Sequence, residues 1–135
     1  MVEMNLKYLG NLNVEIVHGP SGTKIQTAAP VDNQGDGSSF SPTDLMSSSL
    51  AACILTIMGI KARERAIDIE GSTIRVVKHM GTEPRRIRRL ELEMHLPERL
   101  SEEEKTFLKI IAHSCPVCES ISPAIEVEYQ FFFDL

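Results

Sequence analysis

The stretch SPTDLMSSSLAACILTIMGIKAR, residues Ser41–Arg63, decides the fold because it predicts one long helix. Ser41 is placed to act as the N-cap, Pro42 suits the first helical position, and Asp44 follows Ser41 by three residues, as in a capping box. No charged residue occurs in Leu45–Ile60, where small side chains alternate with apolar ones. A helix that is apolar or small on all sides is expected at the centre of a fold.

Strand patterns and a second helix surround this segment. Residues 4–29 predict two or three short strands, residues 67–80 and 86–96 a hairpin, and residues 125–132 a closing strand. A second capping box at Ser101 and Glu104 predicts a helix from Glu102 to about His113. Its expected apolar side consists of Phe107, Leu108, Ile110 and Ile111. The order β-β-(β)-α-β-β-α-α-β indicates an α+β fold.

Length and composition narrow the functional classes. The 135 residues fit one domain, residues 1–135, with a core of its own. A net charge of −5 and the absence of Trp argue against a nucleic-acid partner. The most apolar run, Leu50–Ile60, is too short to span a bilayer, and no signal-peptide pattern occurs, so no membrane partner is expected. Three cysteines, an odd number, favour reduced thiols and a cytoplasmic location.

The cysteines are the main candidates for chemistry. Cys53 lies in the middle of the long predicted helix, where a buried cysteine is usually a small hydrophobic residue. Cys115 and Cys118 form the motif C-P-V-C. For Cys118 a packing role is favoured. Pro116 can begin a short helix with Cys115 as its N-cap, a position that favours thiolate and makes Cys115 a redox candidate.

Other chemistries find less support in the sequence. A thioredoxin-type motif should follow a strand, whereas C-P-V-C follows a predicted helix. A zinc site would need Cys115, Cys118 and His113 with either His79 or His95, and no second pair has ligand spacing. A Cys-His-Asp hydrolase lacks a nucleophile elbow. No phosphate loop, dinucleotide fingerprint or HExxH motif occurs, so no cofactor and no metal are expected.

Two separate motifs resemble the OsmC/Ohr family of thiol-dependent peroxidases. FSPTDLMSSSLAAC matches the first motif of that family through Pro42, Leu45, Ala52 and Cys53, and HSCPV matches the second through Cys115 and Pro116. The element order also matches over nearly the whole chain. The resemblance implies antiparallel sheets around a long central cysteine-bearing helix and an intertwined homodimer. It further implies sites at the dimer interface, with Cys53 as peroxidatic and Cys115 as resolving cysteine.

The resemblance also implies an activity, the reduction of organic hydroperoxides in oxidative or osmotic stress defence. Cys53 thiolate would attack the peroxide and become a sulfenic acid, and Cys115 would condense with it to a disulfide. An external dithiol, of the lipoyl type in similar proteins, would then reduce that disulfide. An apolar pocket at the thiol would accept the alkyl chain of the small-molecule peroxide.

The sequence departs from this family at the groups that activate the cysteine. Peroxidase members pair it with an arginine from the N-terminal part and a glutamate at the helix start. This chain has no arginine before Arg63, Thr43 stands where the glutamate would fall, and Asp44 comes one residue later. Substitutes for the arginine are Lys24, His18 or an arginine of residues 85–89 from the other chain. The alternative function is a non-catalytic dimeric module that binds a small apolar ligand or a metal.

Overall fold

The computed structural model describes all residues from 1 to 135, and they form two compact units. The first contains residues Met1–Met46 and the second Ser47–Leu135. The division falls inside the long helix α1, Pro42–Glu64. The expectation of a single domain therefore stays a prediction.

The first unit contains a three-stranded antiparallel sheet in the order β1-β2-β3. Its strands are β1, Met4–Gly10, β2, Asn13–His18, and β3, Lys24–Ala28. A 3-10 turn at Val31–Asn33 follows in the loop that leads to α1. Two or three strands were predicted for this segment, and three are present, because alternating apolar residues and the turn residues between them specify them locally.

One face of this first sheet is apolar and largely uncovered within the unit. The register places Leu6 opposite Ile16, and Ile16 opposite Ile25, so the three side chains form a row across the sheet. Tyr8 points to the same face, since side chains alternate along a strand. Leu6 and Tyr8 are each 63% exposed, and Ile25 is exposed as well. The opposite face carries polar residues, so the sheet has the pattern of one that packs on one side only.

The predicted capping box begins α1. The backbone N–H of Ser41 donates to Asp44 Oδ2 at 2.9 Å, and the N–H of Asp44 donates to Ser41 Oγ at 3.1 Å. By length and by a mean hydropathy of 1.6 over 18 residues, α1 could cross a membrane, contrary to the estimate from the shorter run Leu50–Ile60. The central helix of a water-soluble protein has the same properties, so this is weak evidence for a membrane span.

The second unit is built on a mixed sheet in the order β4-β5-β6. β4, Thr73–Gly81, pairs antiparallel with β5, Arg86–Leu96, as the predicted hairpin requires, although β4 begins later than residue 67. β6, Glu126–Phe133, pairs with β5 in parallel. Two helices make the connection between these parallel strands, α2, Glu102–Ala112, and α3, Pro116–Ser120.

The hydrophobic core of this unit lies on one face of the mixed sheet. Alternate residues of β5 are fully buried, as their spacing predicts, namely Leu90, Leu92, Met94 and Leu96. From α1 the core receives Leu50, Ala51, Ile54, Met58 and Ala62. From α2 it receives Leu108 and Ala112, with Phe107 and Ile111 packed at its edge. Ile110, expected on the apolar side of α2, is instead 65% exposed, because the buried stripe passes through Leu108 and Ala112.

Candidate active site

The three cysteines lie together in the second unit, on two helices. Cys53 is half-buried on α1, beside the stripe of that helix that faces the core. Cys115 is the N-cap of α3, as its position before Pro116 predicts, and its side chain is 1% exposed. Cys118 lies in the first turn of α3 and is half-buried. All three are free thiols.

Cys115 is the central thiol of this cluster. Its Sγ atom lies 2.7 Å from Cys118 Sγ and accepts a hydrogen bond of 3.2 Å from the backbone N–H of Cys118. The Cys53 side chain also hydrogen-bonds with the Cys115 thiol. Cys53 and Cys115, which are distant in sequence, are therefore in side-chain contact. Cys118 contacts Cys115 as well.

Burial makes the Cys115 thiol harder to deprotonate. Desolvation and the side-chain hydrogen bond with Cys118 raise the pKa of Cys115 to about 12, and the contact with Cys53 acts in the same direction. The backbone N–H of Cys118 favours thiolate, but its effect is smaller. The N-cap position favours thiolate at Cys115, as predicted, but the loss of hydration outweighs this one backbone hydrogen bond, so the net shift of the pKa is upward.

Tyr129 is a further site residue, which sequence reasoning missed. Its hydroxyl group lies 3.8 Å from Cys118 Sγ, and the His113 ring packs on its ring with centroids 4.1 Å apart. Burial and the contact with Cys118 raise the pKa of Tyr129, so its hydroxyl keeps its proton. The only signal in the sequence was the position of Tyr129 on the inward face of the predicted closing strand, which indicated packing alone.

The accessory candidates Thr43 and Asp44 lie in the first turn of α1. Asp44 belongs to the capping box described above, and Thr43 Oγ1 lies 3.1 Å from Ser41 Oγ. These contacts are structural, and they hold the beginning of the helix. A chemical role for either residue stays a prediction.

Several candidate substitutes for the missing arginine have partners within their own chain. His18 Nδ1 lies 2.6 Å from Ser21 Oγ, and Lys24 Nζ lies 4.0 Å from Glu15. Among residues 85–89, Arg89 pairs with Glu91 and lies 3.3 Å from Glu128. Acidic side chains nearby thus neutralise much of the local positive charge.

The histidines named for a zinc site do not join the cysteines in one ligand set. His79 lies 3.1 Å from Glu91, and His95 lies between Glu93 and Asp134 at 3.0 and 2.9 Å. His113 packs on Tyr129. No group of three or more His, Cys, Asp or Glu side chains is arranged to hold a metal ion.

A surface cavity of about 340 Å³ adjoins the thiol cluster. Cys118 and Tyr129 line it together with the apolar side chains of Ile121, Ile125 and Val127, and Glu119 also contributes. The sequence analysis expected an apolar pocket at Cys53. In this unit the apolar cavity beside the cluster opens at Cys118.

Comparison with known structures identifies closely similar folds. A protein of Psychrobacter arcticus, described as an osmotic stress induced and detoxification response protein, is 41% identical with a TM-score of 0.93, over 98% of this chain and 96% of that one. An organic hydroperoxide resistance protein of Legionella pneumophila is 20% identical with a TM-score of 0.75, over 97% and 96%. One from Elizabethkingia anophelis, with thiocyanate bound, is 18% identical with a TM-score of 0.76, over 97% and 94%.

A search of curated protein sequences gives no match to this chain. A family model described as OsmC-like protein matches residues 35–130, which include all three cysteines and most of the second unit. The match and the 41% identical structure agree with the two motifs that carried the resemblance and confirm the α+β, OsmC-like fold. The chain belongs to the OsmC-like protein family.

Proposed function

We propose that this protein is a thiol peroxidase that reduces organic hydroperoxides, with Cys53 as the attacking residue and Cys115 as the resolving residue. The observation that carries the proposal is the side-chain contact between Cys53 and Cys115, which lie in separate elements. Similar folds are named organic hydroperoxide resistance proteins, and this adds support at the level of the fold.

The protonation state of Cys115 supports this division of roles. A thiol with a pKa of about 12 is almost entirely protonated at neutral pH, so it is a poor nucleophile toward a peroxide. A protonated thiol can still condense with a neighbouring sulfenic acid, because its proton leaves with the hydroxyl group as water. Cys53, which is half-buried, is therefore the better candidate for the first attack.

The proposed cycle has three steps. Cys53 thiolate attacks the terminal oxygen of the hydroperoxide, the O–O bond breaks, and the alkoxide takes up a proton to leave as an alcohol. Cys53 is now a sulfenic acid, and Cys115 displaces its hydroxyl group as water to form the Cys53–Cys115 disulfide. Two electrons from an external dithiol return the enzyme to its reduced state.

We also propose that the protein functions as a homodimer, because two apolar surfaces lack a cover within their own units. In the second unit, α1 exposes an uncharged stripe formed by Ser49, Ala52, Thr56 and Ile60. These small side chains would permit close approach of a second helix. In the first unit, the apolar face of the β1-β2-β3 sheet is exposed along the row that contains Leu6 and Ile25. A second copy would bury both surfaces and could supply the cation that stabilises Cys53 thiolate.

Peroxide consumption by matched variants tests the enzymatic proposal. Reduced wild-type protein with dithiothreitol should consume cumene hydroperoxide faster than hydrogen peroxide, because the family implies an apolar site. Cys53→Ser should abolish turnover, since no sulfenic acid can form. Cys115→Ser should still react once, so that a sulfenic acid trapped with dimedone appears at Cys53. Ser114→Ala, beside the cluster, is the matched control and should retain activity.

If the wild-type protein and Cys53→Ser remove cumene hydroperoxide at the same rate, the peroxidase proposal is wrong. The non-catalytic binding module would then be the better description. Dimedone labelling at Cys115 in Cys53→Ser, with none at Cys53 in Cys115→Ser, would instead reverse the assigned roles.

A further inference from the structure

We propose that Cys118 is a second resolving cysteine. It attacks the Cys53–Cys115 disulfide and replaces it with a Cys115–Cys118 disulfide beside the surface cavity. The inference rests on the proposed function for its oxidant. It also departs from the sequence analysis, in which a packing role for Cys118 was favoured.

Two observations about access point to this relay. Cys115 is 1% exposed, so an external dithiol has no direct route to its sulfur. Cys118 is half-buried and lines a surface cavity of about 340 Å³. A disulfide that includes Cys118 would therefore present one sulfur to a reductant, whereas its partner Cys115 stays buried.

The geometry of the sulfur atoms points the same way. Cys118 Sγ lies 2.7 Å from Cys115 Sγ, closer than the van der Waals contact of two sulfur atoms, so a short side-chain movement separates the pair from an S–S bond of about 2.05 Å. Cys53 also contacts Cys115. Cys115 thus lies between one thiol on α1 and one that lines the cavity, and it is in contact with both.

The exchange balances without any added oxidant. Cys118 attacks Cys115 Sγ, the Cys115–Cys118 bond forms, the Cys53–Cys115 bond breaks, and the proton that Cys118 loses is gained by Cys53. An external dithiol then attacks Cys118 Sγ from the cavity and closes to its own disulfide, which leaves Cys115 and Cys118 as thiols. Cys53 regains its thiol one step before the reductant acts, so it can meet the next peroxide earlier.

Peptide mapping distinguishes the two disulfides directly. Trypsin places Cys53 in residues 25–61 and both Cys115 and Cys118 in residues 110–135. The reduced protein is treated with one equivalent of cumene hydroperoxide, quenched in acid, and alkylated with N-ethylmaleimide in denaturant. In the wild type we expect an internal disulfide in 110–135 and one maleimide on 25–61. In Cys118→Ser we expect the two peptides to be linked.

Turnover supplies a second readout. Cys118→Ser and Cys118→Ala should react with the first equivalent of peroxide at the wild-type rate but turn over with dithiothreitol about tenfold more slowly, because the reductant can then reach the disulfide only at Cys53 and not through the cavity. Ser120→Ala, a neighbour on α3, should turn over as the wild type does. Linked peptides in the wild type with maleimide on Cys118, or full turnover by both Cys118 variants, would overturn the relay.

A peroxide-free arm separates this inference from the proposed function. The wild-type protein is equilibrated in mixtures of reduced and oxidised dithiothreitol and mapped in the same way. The internal disulfide of 110–135 should appear at a lower ratio of oxidised to reduced dithiothreitol than the linked peptides do. This should hold even if the protein consumes no peroxide. Linked peptides alone would refute the relay, whereas absence of peroxide consumption would refute only the peroxidase proposal.

Discussion

The hydroxyl group of Tyr129 lies 3.8 Å from Cys118 Sγ, so β6 contributes a phenol to the thiol that faces the cavity. The raised pKa of Tyr129 keeps the hydroxyl group protonated and able to donate to a sulfur that becomes negative. The ring of His113 packs on the Tyr129 ring and holds it in place. In the proposed relay, this contact would make Tyr129 a positioning residue for exchange at Cys118.

Tyr129→Phe should slow the transfer of the disulfide to Cys118 and leave the first reaction with peroxide unchanged. One hydrogen bond contributes about 1 kcal/mol, which corresponds to a rate lower by about fivefold. Rapid acid quenching followed by peptide mapping measures the two steps separately. Equal slowing of both steps would mean that the variant disturbs the whole cluster.

Cys115 should be the least reactive thiol of the folded protein. Its burial and a pKa of about 12 leave almost no thiolate at pH 8, so iodoacetamide should modify it last. Time-resolved mass spectrometry of the reduced protein gives the three rates, and urea-unfolded protein provides the control in which they should converge. Labelling of Cys115 before Cys118 would contradict the burial seen here.

Charges placed on the two uncovered apolar surfaces should dissociate the proposed dimer. The wild type should sediment as a dimer at micromolar concentration, with an interface of about 2,000 Å² or more. Leu6→Glu and Ile60→Glu should shift it toward monomer, whereas Gln26→Glu, on the polar face of the first sheet, should not. A wild-type monomer under these conditions would contradict the homodimer.

Leu92→Ala should destabilise the second unit strongly. Leu92 is fully buried in the central strand β5, and loss of a buried leucine side chain costs about 2–5 kcal/mol. Ile110→Ala, at an exposed position of α2, should cost under about 1 kcal/mol. Urea unfolding at one protein concentration compares the two. Equal losses would place Ile110 in a buried interface.

His95 should make folding stability depend on pH. Hydrogen bonds with Glu93, and then with Asp134, raise the pKa of His95 above the ordinary value of 6.5. A raised histidine pKa stabilises the folded state fully below pH 6.5, and this contribution is lost as the pH rises through the higher folded value. Urea midpoints should therefore fall more between pH 6 and 8 in the wild type than in His95→Gln. Parallel pH profiles would mean that His95 contributes nothing.

Local signals in the sequence predicted most of the elements. Both capping boxes, the three strands of the first unit and the buried alternation of β5 follow from residues within one turn or one strand. The parallel pairing of β6 with β5 was not predictable in this way, because alternation specifies which face a strand buries but not its direction. The same reasoning placed Ile110 inside, since α2 offers two adjacent apolar stripes.

Only part of the candidate site was predictable, because sequence motifs identify residues but not the environment in which they lie. The two motifs identified Cys53 and Cys115, whose side chains are in contact. The charge state of Cys115 depended on how completely the surrounding elements exclude water, which no local pattern specifies. Tyr129 joined the cluster only through the pairing of β6, so its role was invisible in the sequence.

The parallel pairing of β5 and β6 has a consequence for the order of folding. The β4–β5 hairpin can close early because a short turn joins its strands, whereas β6 can dock only after the chain has passed through α2 and α3. Cys115 and Cys118 are synthesised within that connection and meet Tyr129 when the last strand is added. The exchange proposed at Cys118 would therefore have its phenol only in a chain that has completed its sheet.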